Sequence, residues 1–396
     1  MGCDKKNSLI TADEFYILDT LEQNGYAARI VGGAVRNFLL GKDFSDIDIA
    51  TVATPQQTTS IFKKLRLPVI PLGVRYGTLL IRYHGKSYEI STLREDVRTF
   101  GRQADVRFTD SFEIDSARRD FTINALYMDK HGEIFDYHNG LRDIKTKNIR
   151  FIGDARTRIT EDFLRILRYF RFVAQYGDYH FNEEYLAIIS DLKSHLKQLS
   201  SERIYKELQQ TFSVDDSYRA VPAMLPVLQE LFGLKTDALK TCQQLNIFQS
   251  LSAEQRLCML LKFSDSEHIA EYKFPSYIRQ AVALPFTDIT NAKKQLKQTK
   301  TNLQLFYVYY LVVQWFSDNA LSEAQAKQVL HELLTYCTDG HTTFPLTAEH
   351  LQQFNLSQKQ LKKAMIAARH YWKTHDDAML NDCLEIAKQS IAEQLQ

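Results

Sequence analysis

Apolar side chains recur with helical and with strand spacing in alternation over residues 11–92. Residues 11–24 have helical spacing, and Thr11 with Glu14 three positions later has the pattern of a capping box. A second helix is predicted to begin at Thr54-Pro55, because proline fits the first turn of a helix. Strands are predicted at 28–31, 46–49, 69–72, 78–83 and 87–92. This order predicts an α+β domain in which helices cover a small mixed sheet.

A diglycine turn, Gly32-Gly33, joins the first predicted strand to a helix over residues 34–40. Small residues let backbone N–H groups and the start of a helix approach phosphate groups closely. Arg36, one turn into that helix, could add a charge-assisted contact to a phosphate. The pattern is typical of a phosphate-binding turn, although a diglycine by itself usually forms only a turn.

Two carboxylates follow on a strand whose side chains alternate. In Asp46-Ile47-Asp48-Ile49 the isoleucines face one way and the aspartates the other. The two negative charges repel each other unless a cation lies between them, and Mg²⁺ commonly binds one or two carboxylates together with substrate phosphates. Asp46 and Asp48 are therefore candidate metal ligands. Glu89, on the last of the five strands, is a candidate third catalytic carboxylate or a glutamate that simply faces solvent.

The next part of the chain is charged. Residues 94–117 lack a clear period and predict an irregular connection, whose Arg98, Arg102 and Arg107 could contact an RNA or nucleotide backbone or lie in solvent. Residues 136–144 predict a second, turn-rich link. Between them, polar residues lead into an apolar strand. Arginine can bind triphosphate oxygens, and aspartate or asparagine can bind a ribose hydroxyl, so the candidate nucleotide ligands are Arg118, Arg119, Asp120 and Asn124.

The remaining sequence has helical spacing almost throughout. A single helix over 160–172 would place Glu161, Asp162, Arg165 and Arg168 in one arc, opposite an apolar face. A salt-bridged surface would explain this arc. Base recognition is the second interpretation, because a carboxylate only accepts hydrogen bonds and a guanidinium only donates them. A fixed Asp–Arg pair complements the edges of cytosine and adenine and rejects those of uracil and guanine.

Composition narrows the class of protein. A chain of 396 residues suggests two to four domains. Because 49 basic residues face 48 acidic ones, a globally basic nucleic-acid binder is not indicated, although local patches could serve. Five scattered cysteines indicate neither a disulfide framework nor a zinc site. The apolar run 306–316 is too short for a bilayer and the N-terminus has no signal pattern, so we expect a cytoplasmic protein without membrane contact.

Several stretches occur in an order that identifies a family. They are GGAVRNFLLGKDFSDIDIAT, YEISTLREDVRTFGRQADVRFTD, RRDFTINALY, FDYHNGLRDI, EDFLRILRYFRF and SERIYKEL, all within residues 27–212. The chain resembles the class II tRNA nucleotidyltransferases, or CCA-adding enzymes, of the tRNA nucleotidyltransferase/poly(A) polymerase family. The resemblance implies template-independent addition of C, C and A to the 3′ end of tRNA from CTP and ATP, by two-metal in-line transfer that releases pyrophosphate.

The resemblance also implies an organisation. A DNA polymerase beta-like head (1–150) would precede an all-helical neck (151–212), body (213–330) and tail (331–396). The helical part from about residue 213 would hold the acceptor and T arm of tRNA through shape and backbone contacts. The densest basic run is a candidate for those contacts, or a solvated helix face; it comprises Lys293, Lys294, Lys297 and Lys300.

Roles for single residues follow from the resemblance too. Asp46 and Asp48 would hold Mg²⁺. Asp162 and Arg165 would pair with the base, and Glu161 would orient Arg165. Residues 94–117 would help to change specificity from C to A, with a hinge at 136–144. The other nucleotide ligands would be Gly32, Gly33, Arg36, Arg118, Arg119, Asp120, Asn124, Arg168 and Arg171.

Three rivals remain. A poly(A) polymerase shares the head domain, a partial enzyme would add only CC or only A, and a non-catalytic RNA-binding protein would need no metal. The full length of segment 94–117 argues against a CC-only enzyme, and the presence of both Asp46 and Asp48 argues against a non-catalytic protein. The sequence predicts no oligomeric state.

Overall fold

The structure is a computed structural model with two compact units, Met1–Val227 and Leu228–Gln396. The predicted division into head, neck, body and tail stays a prediction. Of the helices described, none has the length and hydropathy that a bilayer span requires. The residues described are 8–44, 46–100, 103–234, 249, 251–264, 269, 272–287, 291–299, 301–317, 321–339, 341–354, 356–375 and 378–395.

The first unit begins with three helices and a mixed sheet. The helices are α1 (Ala12–Gln23), α2 (Gly33–Leu39) and α3 (Pro55–Lys64). The strands are β1 (Ala28–Val31), β2 (Ile47–Thr51), β3 (Val69–Gly73), β4 (Thr78–Tyr83), β5 (Lys86–Thr92), β6 (Arg94–Phe100), β7 (Gln103–Phe108), β8 (Leu126–Met128) and β9 (Ile134–Asp136). Seven of them form one sheet in the order β3-β4-β5-β2-β1-β8-β9, in which only β2 and β5 are parallel neighbours. The α+β prediction is confirmed.

Side-chain alternation along β2 decides what the sheet buries and what it exposes. Ile47 and Ile49 join the core beneath the sheet, together with apolar residues of α1 and α3. Asp48 is only partly buried, and Asp46, just before the strand, is exposed. The capping boxes predicted at the starts of α1 and α3 are both formed, with Thr11 and Thr54 as N-caps. Each cap contributes roughly 1 kcal/mol and fixes where its helix begins.

The irregular connection predicted for residues 94–117 is wrong. β6 and β7 pair as an antiparallel hairpin, and α4 (Phe112–Ala117) follows it. Opposite charges face each other across the hairpin, as in the Glu95–Arg107 ion pair, so a charged sequence without an apolar face can still form strands. Arg102 and the side chain of Arg98 lie outside the described residues.

Helices complete the first unit: α5 (Gly140–Thr146), α6 (Ala155–Glu161), α7 (Leu164–Tyr176), α8 (Glu183–Leu192) and α9 (Ser201–Phe212). The irregular link predicted at 136–144 is therefore wrong in its second half, which is helical. The single helix predicted over 160–172 is also wrong. It breaks at Asp162, whose backbone is extended with φ −153° and ψ 105°.

Helices also form the described part of the second unit. They are α10 (Val221–Phe232), which contains the boundary between the units, then α11 (Ala253–Lys262), α12 (Ser276–Val282), α13 (Ala292–Gln298), α14 (Thr301–Ser317), α15 (Glu323–Thr338), α16 (Gln358–Thr374) and α17 (Leu380–Leu395). The predicted basic face on α13 is wrong at Lys297, which is buried and donates to the carbonyl oxygens of Trp372 and His375 at the end of α16. Lys300 lies outside the described residues.

Candidate active site

Gly32 occupies a backbone position that only glycine suits. Its φ is +76°, in the left-handed region, and it caps the N-terminus of α2. A Cβ atom at this position would lie 3.5 Å from Nη1 of Arg119 and 3.6 Å from the main-chain oxygen of Asn124. The turn therefore lets three predicted nucleotide ligands, at positions 32, 119 and 124, come together from distant parts of the chain.

Asp46, Asp48 and Glu89 form an acidic group across two neighbouring strands. The parallel pairing of β2 with β5 places Glu89 directly beside Asp48. Burial first, and then the negative charges of Glu89 and Asp46 against the opposing effect of Arg119, together raise the pKa of Asp48 to about 6. The fold thus leaves negative charge at this position without full compensation.

A divalent cation suits this charge, although side chains alone would not complete its shell. Among the described residues, no group of three or more His, Cys, Asp or Glu side chains is arranged to hold a metal ion. Asp46 and Asp48 both line a cavity of about 670 Å³. Two carboxylates that face a cavity large enough for a phosphate ligand are the donor set that Mg²⁺ commonly uses.

Arg36 is a buried cation whose hydrogen bonds go to neutral side chains. Its guanidinium donates to Asn37, to Asn124 and to the hydroxyl of Tyr176, the last at 2.9 Å. It also lies 4.3 Å from the centre of the Tyr176 ring. Burial lowers the pKa of Arg36. Because Arg36 lines the same cavity as Asp46, it can bind an anion that enters there.

Arg118 and Arg119 share one carboxylate that the sequence analysis missed. Asp115, in α4, is buried and accepts from Arg118 at 2.9 Å and from Arg119 at 3.2 Å. Although burial opposes its ionisation, Arg119 and Arg118 lower the pKa of Asp115 to about 2. The signal was present, since spacings of three and four residues place both arginines beside Asp115 on one helical turn. Asp115 also accepts from the hydroxyl of Tyr127.

Asp120 lies in a charged network that connects the sheet region with the helices after it. It is buried, and it accepts from Asn124 at 3.0 Å and from Arg168 at 2.5 Å. Glu207 of α9 lies 3.6 Å from Arg168 and 2.6 Å from Arg171. Burial opposes the ionisation of Asp120, but Arg168 and these hydrogen bonds lower its pKa. Glu207 received no role from the sequence, although it lies in the matching stretch SERIYKEL.

Among the described residues, Asp162 and Arg165 form no ion pair with each other, and their predicted pairing with the base stays a prediction. Because the helix breaks at Asp162, the two side chains do not share a helical face, and Asp162 instead accepts from Arg203 of α9 at 2.7 Å. Arg165 donates to Glu161 at 2.5 Å and to the main-chain oxygen of Arg158. The contact between Glu161 and Arg165 is the one that the sequence led us to expect.

Some of the predicted ligands line the cavity, and others do not. Gly33, Arg36, Asp46, Asp48, Arg168 and Arg171 line it. Arg203, Lys206, Glu207 and Gln210 of α9 complete one wall, and none of these was predicted. The other predicted ligands are outside its described lining; they are Gly32, Glu89, Arg118, Arg119, Asp120, Asn124, Glu161, Asp162 and Arg165.

A family model matches part of this chain, and individual known proteins match more of it. The family model that matches describes a Poly A polymerase head domain and covers residues 28–150. The mitochondrial CCA tRNA nucleotidyltransferase 1 of Danio rerio is 34% identical over 377 residues, which are 90% of this chain and 83% of that protein. The chain belongs to the CCA tRNA nucleotidyltransferases. The predicted family is confirmed.

Another relative in this family matches over a shorter segment. The CCA-adding enzyme of Oceanobacillus iheyensis is 43% identical over 236 residues, 59% of this chain and 55% of that enzyme. The chain thus spans about half the length of several curated relatives that it matches. The crystal structure of the Bacillus stearothermophilus CCA-adding enzyme in complex with CTP is 25% identical, with a TM-score of 0.64, over 96% of this chain and 98% of that one. The family fold therefore extends beyond the best-conserved segment.

Proposed function

We propose that this protein adds C, C and A to the 3′ end of tRNA, using CTP and ATP and releasing pyrophosphate. The observation that carries the proposal is that one cavity is lined both by Asp46 and Asp48 and by Arg36, Arg168 and Arg171. Carboxylates for a metal opposite cations for a triphosphate are what nucleotidyl transfer requires. The names of the relatives, and the CTP bound to the Bacillus enzyme, support the same reaction.

The 3′ hydroxyl of the tRNA would attack the α-phosphorus of the nucleotide in line. The new O–P bond forms as the bond between the α-phosphorus and the oxygen that bridges to the β-phosphorus breaks; pyrophosphate leaves with that oxygen, and the hydroxyl proton passes to solvent. Asp46 and Asp48 would hold a divalent cation, Mg²⁺ in our proposal, with Glu89 as a third carboxylate beside Asp48. When bound, such a cation lowers the pKa of the attacking hydroxyl and offsets the charge that develops on phosphate.

The arginines would bind the triphosphate without large rearrangement. Arg36 has neutral partners and is free of competition from a carboxylate at its hydrogen-bonding positions. Glu207 and Asp120 hold Arg168 and Arg171 in place, so these two cations are already oriented. Arg119 and Asn124 would act next to Gly32, and Arg118 would act beside Arg119, since Asp115 fixes both arginines.

Base selection would depend on Asp162 and Arg165. The carboxylate would accept from the amino group of cytosine or adenine, and the guanidinium would donate to their ring and carbonyl acceptors. Asp162 lies in the stretch that joins α6 to α7, and Arg165 lies in the first turn of α7, next to Leu164 in the cavity wall. Glu161 would orient Arg165, as its 2.5 Å contact supports.

For the tRNA backbone we propose the outer face of α16. Lys359, Lys362, Lys363 and Arg369 are exposed at spacings of three, four, seven and ten residues, and the helix contains no Asp or Glu. Its opposite face is buried through Ala364, Ala368 and Trp372. A row of cations with no acidic neighbour on its own helix suits phosphates. This face, in the predicted tail, replaces the α13 face, in the predicted body, as the candidate.

Counting additions tests the proposal against its nearest rival. Purified protein, Mg²⁺, CTP and ATP are incubated with a tRNA transcript that lacks CCA, and the products are resolved at single-nucleotide length. We expect three additions and then arrest. A long A tail would show a poly(A) polymerase, arrest after CC would show a partial enzyme, and binding without any addition would show a non-catalytic RNA-binding protein. The cytoplasmic location stays a prediction.

A further inference from the structure

Both carboxylate oxygens of Asp162 already have a donor. Oδ1 accepts the backbone N–H of Leu164 at 3.1 Å, and Oδ2 accepts Nη2 of Arg203 at 2.7 Å. About a fifth of each side chain in the Asp162–Arg203 pair is exposed, so the ion pair is mostly shielded from water. A charge-assisted bond in such a place is stronger than a surface ion pair and fixes the rotamer of the carboxylate.

Arg203 and Asp162 belong to different elements. Arg203 comes from the first turn of α9, whereas Asp162 lies in the extended break between α6 and α7. Arg165, the other proposed base-reading group, is held separately by Glu161 and by the main-chain oxygen of Arg158. Each half of the base-reading pair therefore has its own anchor, and the anchor of Asp162 is the one that the helical spacing could not predict.

We propose that Arg203 is a positioning residue that makes Asp162 selective for cytosine and adenine. This inference rests on the proposed function. An ionised carboxylate has about four acceptor positions, of which Arg203 and the Leu164 N–H use two, so acceptor positions remain for the amino group of a base. Because Arg203 and the Leu164 N–H hold the carboxylate of Asp162 in one orientation, its free acceptor positions suit an amino group and do not suit the carbonyl oxygen that uracil and guanine present at that edge.

If Arg203 bound the triphosphate instead of positioning Asp162, the kinetic result would differ. Arg203 also lines the cavity beside Lys206 and Arg168, so it could bind the triphosphate directly. All four nucleotides carry the same triphosphate, and loss of a phosphate contact would weaken them equally. Loss of the anchor of Asp162 would instead change the ratio of kcat/KM between nucleotides. Selectivity therefore distinguishes the two roles.

The experiment compares Arg203→Ala and Arg203→Lys with Arg156→Ala as the matched control. Arg156 forms an ion pair with Asp191 at 2.5 Å on the exposed surface of the same unit. For each variant, kcat/KM is measured with CTP and UTP on tRNA lacking CCA, and with ATP and GTP on tRNA ending in CC. We expect Arg203→Ala to lower the CTP/UTP and ATP/GTP ratios by roughly 10- to 100-fold, which corresponds to one charge-assisted hydrogen bond.

The controls make the outcome decisive. Arg203→Lys keeps the charge but not the planar fork, so it should recover part of the selectivity, and Arg156→Ala should leave both ratios unchanged. Combining Arg203→Ala with Asp162→Asn should cost little more selectivity than Asp162→Asn alone. An equal fall in kcat/KM for all four nucleotides would overturn the inference and assign Arg203 to the triphosphate. A wild-type protein that adds neither C nor A would instead refute the proposed function. Arg203→Lys serves as the test if Arg203→Ala does not fold.

Discussion

The ionised carboxylate of Asp48 is energetically unfavourable in the folded protein. Burial and the neighbouring Glu89 and Asp46 raise its pKa from 3.8 to about 6. Above about pH 6 the carboxylate is charged in both the folded and the unfolded chain, and the folded state carries the full penalty. As the pH falls from about 6 to about 4 the folded state takes up the proton first and the penalty disappears. A cation bound at the carboxylates would remove the same penalty.

We therefore predict that Asp48→Asn stabilises the metal-free protein while it abolishes nucleotide addition. The rise of the pKa from 3.8 to about 6 sets an upper limit of about 3 kcal/mol, and partial contact with solvent makes the gain smaller. Thermal unfolding at pH 7.5 without metal would measure the gain. Mg²⁺ should raise the midpoint of the wild type at pH 7.5, less so at pH 5.5, and should not raise that of Asp48→Asn.

Glu133→Gln is the control for this prediction. Glu133 is an exposed carboxylate of the same unit, away from the cavity lining. Its loss should change neither the effect of Mg²⁺ nor nucleotide addition. If Mg²⁺ stabilises Asp48→Asn as much as the wild type, the cation does not bind at Asp48.

Other single residues act through the arginines that they hold. Asp115 fixes Arg118 and Arg119, and Glu207 fixes Arg168 and Arg171. A sequence scan for catalytic chemistry selects the arginines, because cations bind phosphate directly. The carboxylates that orient them become evident only when the contacts are known, since Glu207 is 36 residues away from Arg171.

Among the elements, α5 depends on close contact with the chain that carries Asp120 and Asn124. A Cβ atom on Gly140 would overlap the main-chain oxygen of Thr122 and would lie 3.2 Å from Leu126 Cδ2. Backbone cannot move aside as a flexible side chain can. We predict that Gly140→Ala lowers the free energy of unfolding by about 3 kcal/mol or more, measured by urea titration.

Gly132→Ala separates this steric effect from backbone strain. Gly132 has φ +84°, and a Cβ atom there would meet nothing within 4 Å. Its replacement should cost only the left-handed conformation, about 1–2 kcal/mol. A Gly140→Ala variant no less stable than Gly132→Ala would contradict the close packing of α5.

The exposed face of α16 gives a prediction about tRNA binding. Changing Lys359, Lys362 and Lys363 together to Glu should weaken tRNA binding by at least tenfold at low salt, because phosphate contacts are lost and repulsion is added. The dependence of log Kd on log salt should also become shallower. Filter binding over a range of salt concentrations would measure both effects.

Lys327→Glu on α15 is the control for α16. Lys327 is exposed and pairs with Glu323, so the variant changes a surface charge on a neighbouring helix of the same unit. One such change should leave the salt dependence as it was. If the triple variant binds tRNA with wild-type affinity and salt dependence, α16 does not contact the backbone.

The sequence predicted the ends of helices and strands correctly where residues close together in the chain determine them. Capping boxes at Thr11 and Thr54 were read correctly, because the cap and its partner lie three residues apart. The break at Asp162 was missed, because apolar spacing continues across it and the residue that holds the break open, Arg203, comes from another helix. The hairpin of β6 and β7 was missed for the same kind of reason, since its charged pairs face each other across strands.

On the scale of the whole molecule, charge is nearly balanced and function depends on where the charges collect. The net charge of +1 excludes attraction to RNA by the protein as a whole. Within the first unit, five cations and four carboxylates meet in the cavity wall; they are Arg36, Arg168, Arg171, Arg203 and Lys206 with Asp43, Asp46, Asp48 and Glu207. In the second unit, the outer face of α16 is cationic. Composition alone could reveal neither the charged cavity wall nor the cationic face of α16.

By itself the sequence determined the family, the α+β head with helices after it, and the strand that begins directly after Asp46 and carries Asp48. These depend on motifs and on side-chain periods of two and 3.6 residues, which are local properties of a chain. The tertiary structure decided which charged groups are partners: Asp162 with Arg203, Arg171 with Glu207, and Lys297 with the end of α16. Electrostatic pairing depends on distance in space, and folding brings together residues that no sequence window contains.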